Sequence, residues 1–145
     1  MNSIKNILFL LICLFLYSGL FSQCKSIAYS TSNNKYYTTK DTLHFSAVNN
    51  CKKNKFVVFS LEIRDSTDWQ EVDGNIFIES PKGLKIIILL SGKKKRFDFN
   101  TNTIDPIFFK SSTPVRFKIV ANLYSDDKVQ IIQTKTVKEF IIRNK

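Results

Sequence analysis

The sequence predicts an all-β protein: a single antiparallel β-sandwich of about seven to eight strands that follows an N-terminal signal helix. Three observations predict this class. Short runs of alternating apolar and polar residues recur along the chain, turn residues separate them, and no long helical periodicity follows residue 23. A closed barrel is the alternative architecture, because it also consists of short alternating strands.

The first 23 residues have the layout of a secretory signal peptide. Lys5 supplies the positive start, the apolar run ILFLLICLFLY occupies 7–17, and small residues follow it. That run is much shorter than the roughly 20 apolar residues that a membrane-spanning helix needs. We therefore predict a signal peptide at 1–23 and one domain at 24–145, located outside the cell, in the periplasm or elsewhere in the cell envelope. An uncleaved membrane anchor and a buried helix are the alternatives.

The runs that follow are predicted as strands. Their ranges are 26–31, 42–48, 55–63, 74–80, 84–90, 95–101, 114–124 and 128–142. In the second run Leu43, Phe45 and Ala47 share one face, as core residues of a sheet do. The run LKIIILL at 84–90 is apolar on both faces, which predicts a central or well-covered strand. The last run is long, which predicts a bend or a bulge.

Two turns in this series predict hairpins. SGKK at 91–94 joins the run 84–90 to the run 95–101, and SDD at 125–127 joins the last two runs. Aspartates suit turn positions because their side chains bond to nearby backbone.

The chain has three cysteines, Cys13, Cys24 and Cys51. Cys13 is removed with the predicted signal peptide, so two cysteines remain in an oxidising compartment. This even count predicts a disulfide between Cys24 and Cys51. Two alternatives stay open. Cys24 could carry a lipid, for which Gln23 is a poor preceding residue, or both thiols could be free.

The chain carries a net charge of +10, and loss of residues 1–23 removes one lysine and no acid, which leaves +9. Such a charge is typical of proteins with polyanionic partners. However, 18 of the 22 basic residues are lysines, and a genome rich in AT codons produces the same bias. Arginine, which reads bases bidentately, is scarce, so no specific nucleic-acid partner is predicted.

The run GKKKRF places consecutive basic residues at the predicted tip of the 84–101 hairpin. Lys93, Lys94, Lys95 and Arg96 are therefore candidate binding residues for a polyanion. The alternative is that these lysines protect the adjacent apolar run IIILL from aggregation.

Two segments are similar to secreted bacterial immunoglobulin-like and fibronectin type III-like domains. STPVRFKIVANLYSDDK (112–128) resembles their sixth strand and the hairpin after it, and FVVFSLEIRDSTDWQEV (56–72) resembles their central strand and following loop. Phe117 stands where the corner tyrosine would be, Trp69 falls in a polar stretch, and Cys51 is too near the N-terminus for the usual inter-sheet bridge. The resemblance implies an immunoglobulin-like sandwich and assigns no function.

Candidate chemistry is sparse. His44 is the only histidine, and a hydrolase would need it beside a nucleophile such as Ser46 or Ser60 and an acid. The stretch 64–75 is predicted as a solvated loop with Trp69 as a candidate partner anchor. Its acids also suggest a weak calcium site as an alternative; they are Asp65, Asp68, Glu71 and Asp73.

We therefore expect no catalytic residues, no metal and no cofactor. The predicted function is that of a secreted or periplasmic, non-catalytic binding or structural module whose partner is another protein or an envelope component. A polyanion-binding surface protein, a lipid-anchored envelope protein and, less favoured, a small hydrolase are the alternatives. An assembly subunit that exchanges edge strands is a further reading, which no particular residue favours.

Overall fold

The computed structural model describes residues 27–74, 76–77, 86–110 and 113–143. In these ranges the chain forms nine strands. Their bounds are β1 (Ala28–Thr31), β2 (Tyr36–Tyr37), β3 (Thr42–Val48), β4 (Lys55–Asp65), β5 (Asp68–Asp73), β6 (Ile87–Leu89), β7 (Lys94–Asn100), β8 (Val115–Tyr124) and β9 (Ile131–Ile142). Two short 3₁₀ turns, Thr101–Thr103 and Pro106–Phe109, connect β7 to β8. None of the helical segments in the described ranges has the length and apolar character to cross a bilayer. The predicted signal peptide and Cys24 lie outside the described residues.

The strands form two sheets. One has the order β1-β3-β7, and the other has the order β2-β9-β8-β4-β5, with β6 beside the first residues of β4. The prediction of an all-β protein with two sheets is confirmed. The prediction that it is purely antiparallel is wrong at one place, because β2 pairs in parallel with the end of β9. A strand of two residues is too short to show a period of two in the sequence.

The two sheets pack face to face through aromatic side chains. Phe45 of the three-stranded sheet lies 5.1 Å from Phe59 of the other sheet, and Phe97 lies 4.9 Å from Phe59, measured between ring centroids. The predicted inward face of β3 is confirmed, since Leu43, Phe45 and Ala47 are all buried. Burial of rings from both sheets is the main term that holds the layers together.

In the stretch predicted as a solvated loop, residues 64–73 belong to a hairpin. β4 ends at Asp65. The turn consists of Ser66 and Thr67, and β5 begins at Asp68, which lies opposite Asp65. Ser66 has a φ of 52°, the conformation that two-residue hairpin turns require. The acids concealed this strand because aspartate is depleted in strands. The strand predicted at 74–80 is absent from its described part, in which Ile76 and Phe77 lie in a turn.

The hairpin predicted through SGKK is wrong. The turn exists, with Gly92 at a φ of 66° and the Lys93 N–H donating to the Leu90 carbonyl over 3.1 Å. However, β6 pairs with β4 and β7 pairs with β3, so the turn carries the chain from one sheet to the other. Turn residues show where the chain reverses, but not which layer the next strand joins.

The run 84–90 was predicted to form a central or well-covered strand. For its described residues this prediction is also wrong. β6 contains three residues of this run and lies at an edge, where Ile88 is 47% exposed. Leu90 follows the strand and is 54% exposed. The apolar run therefore buries Ile87 and Leu89 and leaves its alternate residues at the surface.

The predicted hairpin of the last two strands is confirmed. β8 and β9 pair antiparallel from Val115 opposite Ile142 to Tyr124 opposite Ile131. Two irregularities interrupt the ladder, between Ile119 and Val120 and between Leu123 and Tyr124, and each leaves one extra residue in β9. The predicted bulge in the long run 128–142 is therefore confirmed.

Candidate functional site

The predicted basic residues lie at the start of an edge strand and not at a hairpin tip. Lys93 precedes β7, and Lys94, Lys95 and Arg96 are its first residues; all four are exposed. Alternation along the strand separates them. Lys95 lies on the side of Phe97, with Nζ 5.8 Å from that ring's centroid, whereas Lys94 and Arg96 lie on the outer face of the three-stranded sheet.

Trp69 lies on β5, where another side chain covers its ring. The Nζ of Lys118 is 4.5 Å from the ring centroid and 2.7 Å from Oε2 of Glu62. The side chains of Lys118 and Glu62 are only 16% and 20% exposed. Trp69 is therefore half-buried under a cation, and an incoming partner would first have to displace Lys118 to reach this face of the ring.

His44 has an acidic neighbour directly across the β3–β7 ladder. Its Nδ1 lies 2.7 Å from Oδ1 of Asp98, and the two side chains are 69% and 68% exposed. Among the described residues no serine hydroxyl contacts the imidazole, and Ser60 lies on the other sheet, where it accepts a hydrogen bond from Asn122. The arrangement meets one requirement of the hydrolase alternative, the acid, but does not bring a nucleophile to the histidine.

Cys51 is buried beside Asn49, whose side chain makes several hydrogen bonds to the backbone. The Cys51 N–H donates to Oδ1 of Asn49 over 2.9 Å, and the Ser91 hydroxyl donates to the Cys51 carbonyl over 2.7 Å. Cys24 lies outside the described residues, so the Cys24–Cys51 disulfide stays a prediction. No three histidine, cysteine or acidic side chains within the described ranges are grouped as metal ligands would be.

One long edge of the six-stranded sheet carries no ladder over most of its length in the described ranges, although β1 of the other sheet lies close to it. β9 pairs with β8 on one side along its whole length, whereas on its other side only Tyr36 and Tyr37 of the described residues pair with it, opposite Ile141 and Ile142. From Ile131 to Phe140 the backbone groups on that side have no strand partner in the described part of the chain. Such an edge is a template for the addition of another strand.

Apolar side chains extend from this edge across the outer face of the same sheet. Ile131 is opposite Tyr124, Tyr124 is opposite Phe56, and Phe56 is opposite Ile88, so the four lie in one row over four strands. Ile131 is 52% exposed and Ile88 is 47% exposed, and the two aromatic rings between them are half-buried. Ile132 and Val129, at 56% and 72% exposed, lie next to its β9 end. We call these six residues the apolar row.

The β8–β9 turn holds the end of this row in place. Ser125 N–H donates to the Gln130 carbonyl over 2.8 Å, and the Ser125 hydroxyl donates to the carboxylate of Asp127. That hydrogen bond, together with one from the Val129 N–H, lowers the pKa of Asp127 below its ordinary value. Lys128 has a φ of 62° and places its ammonium 4.7 Å from the centroid of the Phe56 ring.

The charge along the open edge is mostly positive, with Glu139 as the one acid of this stretch. Between residues 128 and 138 the chain carries Lys128, Lys135 and Lys138 and no acid. Lys138 donates from Nζ to the Ser32 carbonyl over 2.7 Å, and burial lowers its pKa. Sequence reasoning predicted the long strand but not its open edge, because alternation does not show which strand is outermost.

Neither the comparison with protein-family models nor the search of curated proteins finds a match. Among solved structures, a chain of the chaperone–tip adhesin complex of CFA/I fimbriae biogenesis is similar over 80% of this chain and 55% of its own, with 14% identity and a TM-score of 0.48. The class 5 fimbriae chaperone CfaA is similar over the same shares, with 12% identity and a TM-score of 0.48. A β-glucosidase from Listeria innocua in complex with glucose has 14% identity and a TM-score of 0.42, over 81% of this chain and 16% of its own.

The chain thus spans about half the length of the fimbrial chains that it matches. The likeness to all three structures is distant, because the identities are at most 14% and the TM-scores are below 0.5. The two-sheet architecture rests on the strand pairing of the chain itself.

Proposed function

We propose that the protein is a non-catalytic protein-binding module of the cell envelope or the extracellular space, and that it binds an extended segment of its partner along the open edge of β9. The observation that carries this proposal is the unpaired side of β9 from Ile131 to Phe140. An extended peptide adds to such an edge through main-chain hydrogen bonds, while side chains beside the edge set specificity.

The chemistry around the edge favours a partner segment that combines aliphatic and acidic residues. The apolar row offers exposed aliphatic surface next to the edge, and the lysines at 128, 135 and 138 outnumber the one acid of the edge, Glu139. The same lysines disfavour a second copy of this chain on the edge, because two β9 strands would bring like charges together. An acidic strand from another protein has no such repulsion.

The fold proposed for this module is immunoglobulin-like. The pairing of β1 with β3 and β7 in one sheet, and of β4 with β8 and β9 in the other, supports this reading. We also propose that residues 1–23 are removed as a signal peptide and that Cys24 and Cys51 form a disulfide. The intact mass of the exported protein distinguishes the alternatives, because oxidation removes about two mass units from the reduced form whereas lipidation adds a diacylglycerol.

Hydrogen exchange of the backbone amides tests strand addition directly. We expect half of the amides between Ile131 and Phe140 to exchange fast in the free protein, since they point to the open edge. A designed extended peptide of alternating valine and glutamate should slow these amides on binding, and the same peptide with lysine for glutamate should not. K135E should weaken binding of the acidic peptide several-fold, whereas K53E, at an exposed lysine in the turn before β4, should not.

Two results would contradict the proposal. If all β9 amides exchange slowly in the free monomer, the edge is already covered. If the protein instead forms a dimer at micromolar concentration and dimerisation protects the same amides, the edge serves self-association rather than a partner.

A further inference from the structure

A groove of about 500 Å³ crosses the outer face of the three-stranded sheet, on the opposite side of the sandwich from the apolar row. Three strands contribute to it. Its polar side chains include Ser30 from β1, His44 and Ser46 from β3, and Lys94, Arg96 and Asp98 from β7. The volume is in the range of small-molecule sites in proteins.

The strand register sets the order of these groups across the sheet. Ser30 is opposite Ser46, and Ser46 is opposite Arg96, so two hydroxyls and a guanidinium form one row. Opposite residues in neighbouring strands share a face of the sheet, with backbones about 5 Å apart. Ser46 is in the middle of the row and is only 7% exposed, so it forms the floor of the groove while Arg96 forms its wall.

The charges in the groove do not cancel. Asp98 is the only acid among the described residues that line it, and His44 already contacts its carboxylate at 2.7 Å. Within the described ranges neither Arg96 nor Lys94 has a carboxylate partner. The groove therefore holds a guanidinium and an ammonium whose hydrogen-bond donors are available to a ligand.

We propose that this groove binds a phosphate or sulfate ester carried on a molecule of sugar size. A guanidinium donates two parallel hydrogen bonds to a tetrahedral oxyanion, an ammonium adds a point charge, and serine hydroxyls donate to a further oxygen. The groove is much larger than one such anion. The short hydroxyl side chains at Ser30, Thr31 and Ser32 suit a polyhydroxylated body better than an aromatic one.

Isothermal titration with glucose 6-phosphate, glucose 6-sulfate, glucose and inorganic phosphate tests the site. We expect both esters to bind, glucose to show no binding, and inorganic phosphate to bind more weakly than the esters. R96Q should weaken ester binding at least tenfold, because it removes charge-assisted hydrogen bonds to the anion. S46A should weaken it about threefold or more, because it removes one donor without changing the floor.

R64Q is the control, since Arg64 is also exposed but lies at the end of β4 on the other sheet, outside the groove. An equal loss in R64Q would mean that binding follows overall charge and would overturn the site. Unchanged binding in R96Q, or inorganic phosphate binding as tightly as the esters, would also overturn it. K135E should leave ester binding in the groove unchanged. A failure of the groove proposal can therefore be distinguished from a failure of the proposed strand addition at β9.

Discussion

Phe45 on β3 and Phe59 on β4 meet edge to face across the two sheets, with ring centroids 5.1 Å apart and an interplanar angle of 69°. Phe59 is fully buried and also contacts the rings of Tyr29, Phe77 and Phe97. The pair therefore joins the sheets at the centre of the aromatic core.

Truncation of Phe59 should be among the most destabilising single changes in the domain. We expect F59A to lower the free energy of unfolding by about 3–5 kcal/mol, because it leaves a cavity between the sheets. F56A, on the same strand but half-buried on the outer face, should cost clearly less. Urea denaturation measures both. A cycle of F45L and F59L should show a coupling of about 0.5–1.5 kcal/mol, and additive effects would contradict a direct ring–ring contribution.

Among the polar residues, Asn49 should contribute most to holding the segments around Cys51 and Leu89 in their folded conformation. Its side chain is fully buried, donates to the carbonyls of Lys53 and Leu89 over 2.9 and 2.8 Å, and accepts from the Cys51 N–H. N49A leaves these three backbone groups without a partner, so we expect a loss of about 2–4 kcal/mol in unfolding free energy.

The matched control for Asn49 is N54A. Asn54 accepts a hydrogen bond from the Ser91 N–H at the surface, where water replaces it. N54A should cost less than about 1 kcal/mol. Equal losses in the two variants would mean that the burial of Asn49 does not matter.

The cation over Trp69 should be visible in fluorescence, because Trp69 is the only tryptophan. K118M keeps the aliphatic stem but removes the charge that lies 4.5 Å from the ring and 2.7 Å from Glu62. We expect a changed emission spectrum and a loss of about 1–2 kcal/mol in stability. K53M, at an exposed lysine away from the ring, should change neither. An unaltered spectrum in K118M would contradict the contact in solution.

The Ser125–Asp127 contact predicts how the β8–β9 turn responds to acid. The hydrogen bond from Ser125 lowers the pKa of Asp127, so the ionised carboxylate favours the folded turn. This contribution is present above the ordinary aspartate pKa of about 3.9 and is lost as the pH falls through the lower folded-state value. NMR titration of the Asp127 carboxyl carbon should give a midpoint below the ordinary value. S125A should raise that midpoint, and S66A, at the other hairpin, should leave it unchanged.

The sequence predicted where strands occur better than it predicted which strands pair with each other. The alternation of Leu43, Phe45 and Ala47 gave a correct inward face because a period of two is a local property. The layer change at Gly92 was not predictable, since the same turn chemistry serves a hairpin and a crossing between sheets. β5 was missed because pairing with the end of β4 outweighs the weak strand propensity of its acids.

The candidate sites show the same limit. Lys94 and Arg96 were recognisable as basic residues, but their position beside Ser46 depends on the β3–β7 register, which has a sequence separation of about fifty residues. The open edge of β9 is likewise a property of sheet order and not of local pattern. Chemistry-bearing residues were therefore identified from composition, whereas the surfaces that they form required the topology.

The two extra residues in β9 have a consequence for how its length can vary. Each one exchanges the two faces of the strand for every residue beyond it, so one bulge alone reverses the parity and two restore it. Deletion of one residue between Ile132 and Val137 would therefore invert the faces of all strand residues on one side of the deletion, whereas removal of two would keep them. Insertions or deletions of an even number of residues in this stretch should accordingly be compatible with the fold. Those of an odd number should disrupt it, unless a bulge is itself gained or lost.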